Sequence, residues 1–157
     1  MTRQEKYPET RTFHYYNANP KNRITTDCVI RALCTALDVP YTQVVMELAE
    51  LQCKTGYDDG DAKLYDKYLQ SKGCCKQKQP RKDDGTKYTG KEWCDWVSIN
   101  EPHDCRYKDC KAIIAHIGGH HVVCIKPADG DGFNRRFKVY DIWDSTYGCI
   151  GNYWIIR

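Results

Sequence analysis

The sequence has no run of about 18 apolar residues, the length a helix needs to cross a bilayer. Its first sixteen residues are polar and lack the apolar segment of a secretory leader. There is no internal repeat, no low-complexity tract and no CxxC pair. A strong charge of one sign is missing too: 24 basic against 21 acidic residues leave a net charge of +3, no argument for nucleic acid or an anionic membrane as partner. Basic residues gather between Lys72 and Lys91, but Asp83, Asp84 and Glu92 are interspersed, and the stretch reads as a solvated loop. These absences point to a cytoplasmic protein with no membrane partner, no nucleic-acid partner and no cofactor.

Cysteine, by contrast, is plentiful. Ten are present, and in a reducing compartment they are expected as core thiols, metal ligands or a nucleophile rather than a disulfide frame. A chain of 157 residues suits a single domain with its own core. Residues 1–26 read as an irregular arm, 27–97 as mainly helical and 111–157 as an antiparallel sheet. In the run from Asp27 to Leu37, Val29, Ile30, Leu33, Cys34 and Leu37 fall on one stripe, with Asp27 as N-cap and Pro40 ending the helix. Further helices fit Thr42–Gln52, with Val44, Val45, Leu48 and Leu51 inward and Met46 partly buried, Asp61–Lys72 and Gly90–Val97. Residues 74–90 read as a long polar connection. Strands fit 111–117, 120–126, 136–142 and 150–156, with the hairpin loop Pro127–Asn134 between the second and third. Helices before strands, without alternation, make an α+β class.

A thiol is a nucleophile as thiolate, which a helix N-terminus and a neighbouring imidazolium favour. Cys28 alone among the cysteines follows a probable N-cap. His120 opens a strand after Gly118-Gly119, which makes it the expected base; His121, pointing to the opposite face, is the alternative. Asp141, on the strand expected to pair with that of His120, is the expected orienting carboxylate, with Asp144 in reserve.

Asp27-Cys28 opening a helix, Gly119-His120-His121-Val122-Val123 opening a strand and Tyr140-Asp141 on the next strand together resemble papain-like cysteine peptidases. The likeness is to the bacteriocin-processing, C39-like branch and similar small proteins of phages and bacteria. It implies a papain-like fold, with N-terminal helices packed on a C-terminal antiparallel sheet. It also implies a cysteine-dependent hydrolase, a peptidase or isopeptidase, that acts on a protein or peptide through Cys28, His120 and Asp141 by an acyl-enzyme. In that family a Gln a few positions before the nucleophile meets the oxyanion; here Asn22 matches, with Asn19 and Asn17 as alternatives. Tyr15, Tyr16 and Trp143 could line the cleft. A deamidase or acyltransferase of the same fold, or a non-catalytic papain-like binding module, are the other readings. Cys94, His103, Cys105 and Cys110 could stabilise such a module with zinc, although their spacing lacks a knuckle. Asp58-Asp59-Gly60-Asp61 and Asp129-Gly130-Asp131-Gly132 lack the spacing of a calcium loop and read as turns.

Overall fold

The computed structural model describes residues 1–128 and 135–157. In chain order the elements are α1 (Arg3–Lys6), β1 (Phe13–Tyr15), α2 (Cys28–Leu37), α3 (Tyr41–Thr55), α4 (Ala62–Ser71), β2 (Lys76–Gln77), α5 (Gly90–Asn100), β3 (Ala112–Ile117), β4 (His121–Pro127), β5 (Phe137–Asp141) and β6 (Ile150–Ile156). The strands form one sheet in the order β1-β5-β4-β3-β6-β2. The architecture is thus mixed helix and sheet, consistent with the α+β class. No single helix among the described residues is long and apolar enough to cross a membrane. Most of the loop expected over 127–134, and with it Asp129-Gly130-Asp131-Gly132, lies outside the described residues.

Helices lie on both faces of the sheet. On one face α2, α3 and α4 bury Leu33, Val44, Leu48, Leu64 and Leu69 against Ile114, Val122, Cys124 and Trp154. On the other, α5 buries Trp93, Cys94 and Val97 against Ile113, Ala115, Val123, Ile125 and Val139. Strands covered on both faces read as continuous apolar runs, which is why 112–117 and 122–125 show no alternation. The end of α2 follows from Asp38, whose left-handed φ of 54° closes the helix before Pro40.

Three expectations change. The arm over 1–26 is not wholly irregular: β1 pairs in parallel with β5, Phe13 opposite Val139 and Tyr15 opposite Asp141, so the sheet is mixed rather than antiparallel. The connection 74–90 supplies β2, an edge strand on β6. On α3 the buried stripe is narrower than expected, since Val45 and Met46 are exposed.

The start of α5 is tightly placed. A Cβ on Gly90 would lie 2.6 Å from Ile117 Cδ1 and 3.1 Å from the Thr146 Cα. Gly90→Ala is therefore expected to cost about 1–3 kcal/mol by overpacking. Gly60→Ala, which meets nothing within 4 Å, should stay within about 0.5 kcal/mol. Chemical denaturation of both variants checks this.

Candidate active site

Cys28 occupies the first position of α2, half-buried, where His121 and the backbone amide of Val122 act on its thiol. The turn before β4 decides which histidine arrives there. Ile117 pairs with His121, so the β3–β4 connection is the three residues Gly118, Gly119 and His120. Both glycines have left-handed backbones, with φ of 63° and 96°. The expected two-residue turn is corrected by one residue, and a one-residue change of register exchanges the faces of a strand. His120 therefore lies in the exposed turn, while His121 begins β4 and meets the carboxylate. His120 instead lines the cavity beside Cys28.

His121 Nε2 lies 2.5 Å from Asp141 Oδ2. Asp141 is 2% exposed. Its other oxygen accepts from Arg31 Nη1 at 2.7 Å and from the Ile142 amide at 2.8 Å. Arg31, one turn after Cys28 on α2, also gives Nε to Asp27 Oδ1 at 2.8 Å. Asp27 Oδ2 accepts from Tyr41 Oη at 2.6 Å and Asn19 Nδ2 at 3.0 Å. Asp27 is thus the N-cap residue of α2 by position, but it makes no side-chain cap hydrogen bond. Its carboxylate serves Arg31 and Tyr41, and the first-turn amides of α2 are left to other acceptors.

The electrostatics follow from these contacts. Burial works to raise the Cys28 thiol, but the His121 hydrogen bond, the Val122 amide and the charges of His121 and Arg31 bring it below the usual range. Burial likewise disfavours charged His121, yet the bonds to Asp141 and Cys28 raise it to about 9. Both shifts favour a thiolate–imidazolium pair near neutrality. By contrast, burial pushes the thiols of Cys34 and Cys124 up. The ring of Trp143 packs on His121 with centroids 5.0 Å apart.

The oxyanion expectation is not met by Asn22. It is exposed, with a left-handed φ of 53°, and its Oδ1 accepts from Asn17 Nδ2 at 3.3 Å. Asn19 is committed to Asp27. The reserve carboxylate Asp144 accepts from the amide and hydroxyl of Thr146 and stabilises its own turn. Among the described residues no three His, Cys, Asp or Glu side chains group as a metal site, so Cys94, His103, Cys105 and Cys110 are not assembled as one.

Several contributors escaped the sequence reading. Arg31 sits on the buried stripe of α2, and a charged residue there needs a partner; that was its signal. Tyr65 and His116 are two more residues that no sequence motif singles out. The Tyr65 hydroxyl is hydrogen-bonded to His116 Nε2. Tyr65 also borders the Cys28 cavity. Burial, and then the nearby Cys28 charge, push its phenol up to about 12, so it stays protonated.

The cavity in front of Cys28 measures about 490 Å³ and is bordered by apolar Val29, Ile30, Val45, Leu48, Leu64 and Val122. The exposure of Val45 is thereby explained: it faces a cavity rather than the core. No protein-family model, no curated protein and no solved structure matches the chain.

Replacing Arg31 by Met strands two carboxylates in a site where their side chains are 7% and 2% exposed. A loss of about 3–5 kcal/mol is expected in urea denaturation at neutral pH. Arg31→Lys should recover part of it, since an ammonium keeps the charge but not the separated Nε and Nη1 donors that meet the two partners.

Proposed function

We propose that the chain is a cysteine-dependent hydrolase of peptide or isopeptide bonds, with Cys28 as nucleophile, His121 as acid and base and Asp141 as the group that orients it. The supporting observation is a thiol at the start of α2 that His121 draws below the usual range, the Nε2 of that histidine being held by a carboxylate itself fixed by Arg31 and a backbone amide. With Nε2 engaged, Nδ1 is the nitrogen left for the thiol. In this reading the order Cys, His, Asp along the chain and the papain-like, C39-like resemblance go together.

The Cys28 thiolate attacks the substrate carbonyl carbon and forms a tetrahedral oxyanion. The free amides of the first turn of α2 are suited to receive that charge, and the Tyr65 hydroxyl is the nearby side-chain donor. As the C–N bond breaks, imidazolium His121 gives its proton to the leaving amine. A thioester on Cys28 remains. His121, now neutral, takes a proton from water as the water attacks, and collapse returns thiolate and imidazolium. The cavity lining is mixed, with Gln52, Asp59 and His120 beside the aliphatic residues, and suits a substrate that presents both apolar and polar groups beside the scissile bond.

Limited iodoacetamide at about pH 6, near the histidine reference value, is expected to label Cys28 before the exposed Cys53, Cys75, Cys105 and Cys149. His121→Ala should abolish that preference and His120→Ala should keep it. Even labelling of all five thiols in the unmodified protein would sink the dyad.

Hydrolysis of a peptide library should fall by about 10³-fold or more in Cys28→Ala and in His121→Ala. Its rate should rise as Cys28 ionises, below the ordinary thiol range, and decline as pH passes about 9, where His121 loses its proton. Tyr65→Phe should lower kcat with little change in KM if its hydroxyl meets the oxyanion.

A further inference from the structure

A second cavity, of about 570 Å³, lies at the β2–β6 edge on the α5 face of the sheet, away from the face that carries α2. Its volume is that of a small-molecule site. Its floor is aromatic: Trp93, Tyr107 and Tyr153 are buried, and the two hydroxyls of Tyr107 and Tyr153 bond to each other at 2.7 Å. Tyr88 and Trp96, with ring centroids 6.4 Å apart, are only half-buried and border the opening.

Lys76, Lys78, Arg81 and Arg106 line the same cavity, and no Asp or Glu among the described residues does. Arg106 is neutralised by Asp104. Lys76, Lys78 and Arg81 form no salt bridge among the described residues. The wall that carries them is fixed. Gln79 Nε2 donates to the Ile150 carbonyl at 2.7 Å, and Asn152 Nδ2 donates to the Gln77 carbonyl at 3.1 Å. The basic stretch that reads as a solvated loop in the sequence thus places three cations, without a salt bridge among the described residues, in one cavity with partly open aromatic rings. The cation over the Tyr88 ring is Lys82, itself paired with Glu92.

We propose that this cavity binds a nucleotide unit, its base against Tyr88 and Trp96 and its phosphate among Lys76, Lys78 and Arg81. Base–aromatic stacking beside cationic side chains is the usual chemistry of such recognition. An acidic peptide would use the cations but has no need of the aromatic floor. The unit is either free or one residue of a single strand. The site is independent of the Cys28 chemistry and departs from the expectation, based on net charge, of no nucleic-acid partner.

The test is tryptophan fluorescence of the full chain titrated with AMP, with a short oligo-dT and with a poly-Glu peptide. Saturable quenching by AMP or oligo-dT, weakened several-fold by added salt, supports the site. Tighter binding of AMP identifies a free nucleotide, and tighter binding of the oligomer a strand. The double variant Lys78→Gln/Arg81→Gln should weaken binding about tenfold or more while iodoacetamide labelling of Cys28 is unchanged. Trp96→Leu should weaken it as well, with folding checked by circular dichroism. No quenching by either nucleotide probe, equal binding of poly-Glu, or unchanged affinity in the charge variant of a folded chain would overturn the proposal.

Discussion

Arg31 lies between two carboxylates and takes one oxygen from each, with Nε on Asp27 and Nη1 on Asp141. The planar guanidinium makes both bonds at once through donors held in a fixed fork. Because Arg31 is one turn from Cys28 on α2, this contact fixes the helix that carries the thiol against the strand that carries Asp141. It also leaves Asp141 Oδ2 for His121. The surrounding structure converges on these atoms. Tyr41 from α3 and Asn19 from the arm hold Asp27, while the Tyr16 amide and Arg3 hold the backbone at Asp141 and Ile142. Breaking a buried ion pair costs more than the pair contributes beside an apolar substitute. The value of Arg31 is therefore positional: it sets a distance between two elements far apart in sequence.

The charges in this cluster explain its electrostatics. Two anionic carboxylates stand beside one permanent cation, which leaves room for a second positive group. His121 fills that role when protonated: burial opposes its charge, but hydrogen bonding to Asp141 and Cys28, with their charges, outweighs it and raises the imidazole to about 9. The thiol then feels an imidazolium, a guanidinium and a backbone amide together. Cys34, on the same helix but beyond their reach and more buried, shifts the other way. Two cysteines on one helix thus differ through their neighbours, as the pKa of a thiol depends on surroundings and not on sequence type.

Much of the fold was legible where local rules decide. The helix stop before Pro40, the Gly90 helix start and the strand 150–156 follow from breakers, caps and apolar runs. The α2 start at Cys28 lies where Asp27 marks it, though the Asp27 carboxylate serves Arg31 and Tyr41 rather than capping the helix. What was not legible depends on contacts between distant residues. The parallel pairing of Phe13–Tyr15 with β5 joins segments over a hundred residues apart, and three residues carry no period of their own. The histidine register was hidden for another reason. β4 is buried on both faces, so moving it by one residue exchanges one apolar set, Val122 and Cys124, for another, Val123 and Ile125. Hydrophobic pattern cannot choose between them. The three-residue turn and the Asp141 contact choose. Likewise, Asn22 was assigned by spacing from Cys28, but its loop bends back on Asn17 and Asn19, which no count of residues reveals.

The parallel β1–β5 pair and the Arg31–Asp141 contact, 110 residues apart in sequence, also govern when the site can exist. During synthesis the arm and α2 are made well before β5, the strand that carries Asp141. Until then β1 has no partner strand and Arg31 lacks one of its carboxylates. Long-range pairings of this kind form late and slowly. Until β4 and β5 have paired, Cys28 therefore lacks the neighbours that lower its thiol pKa.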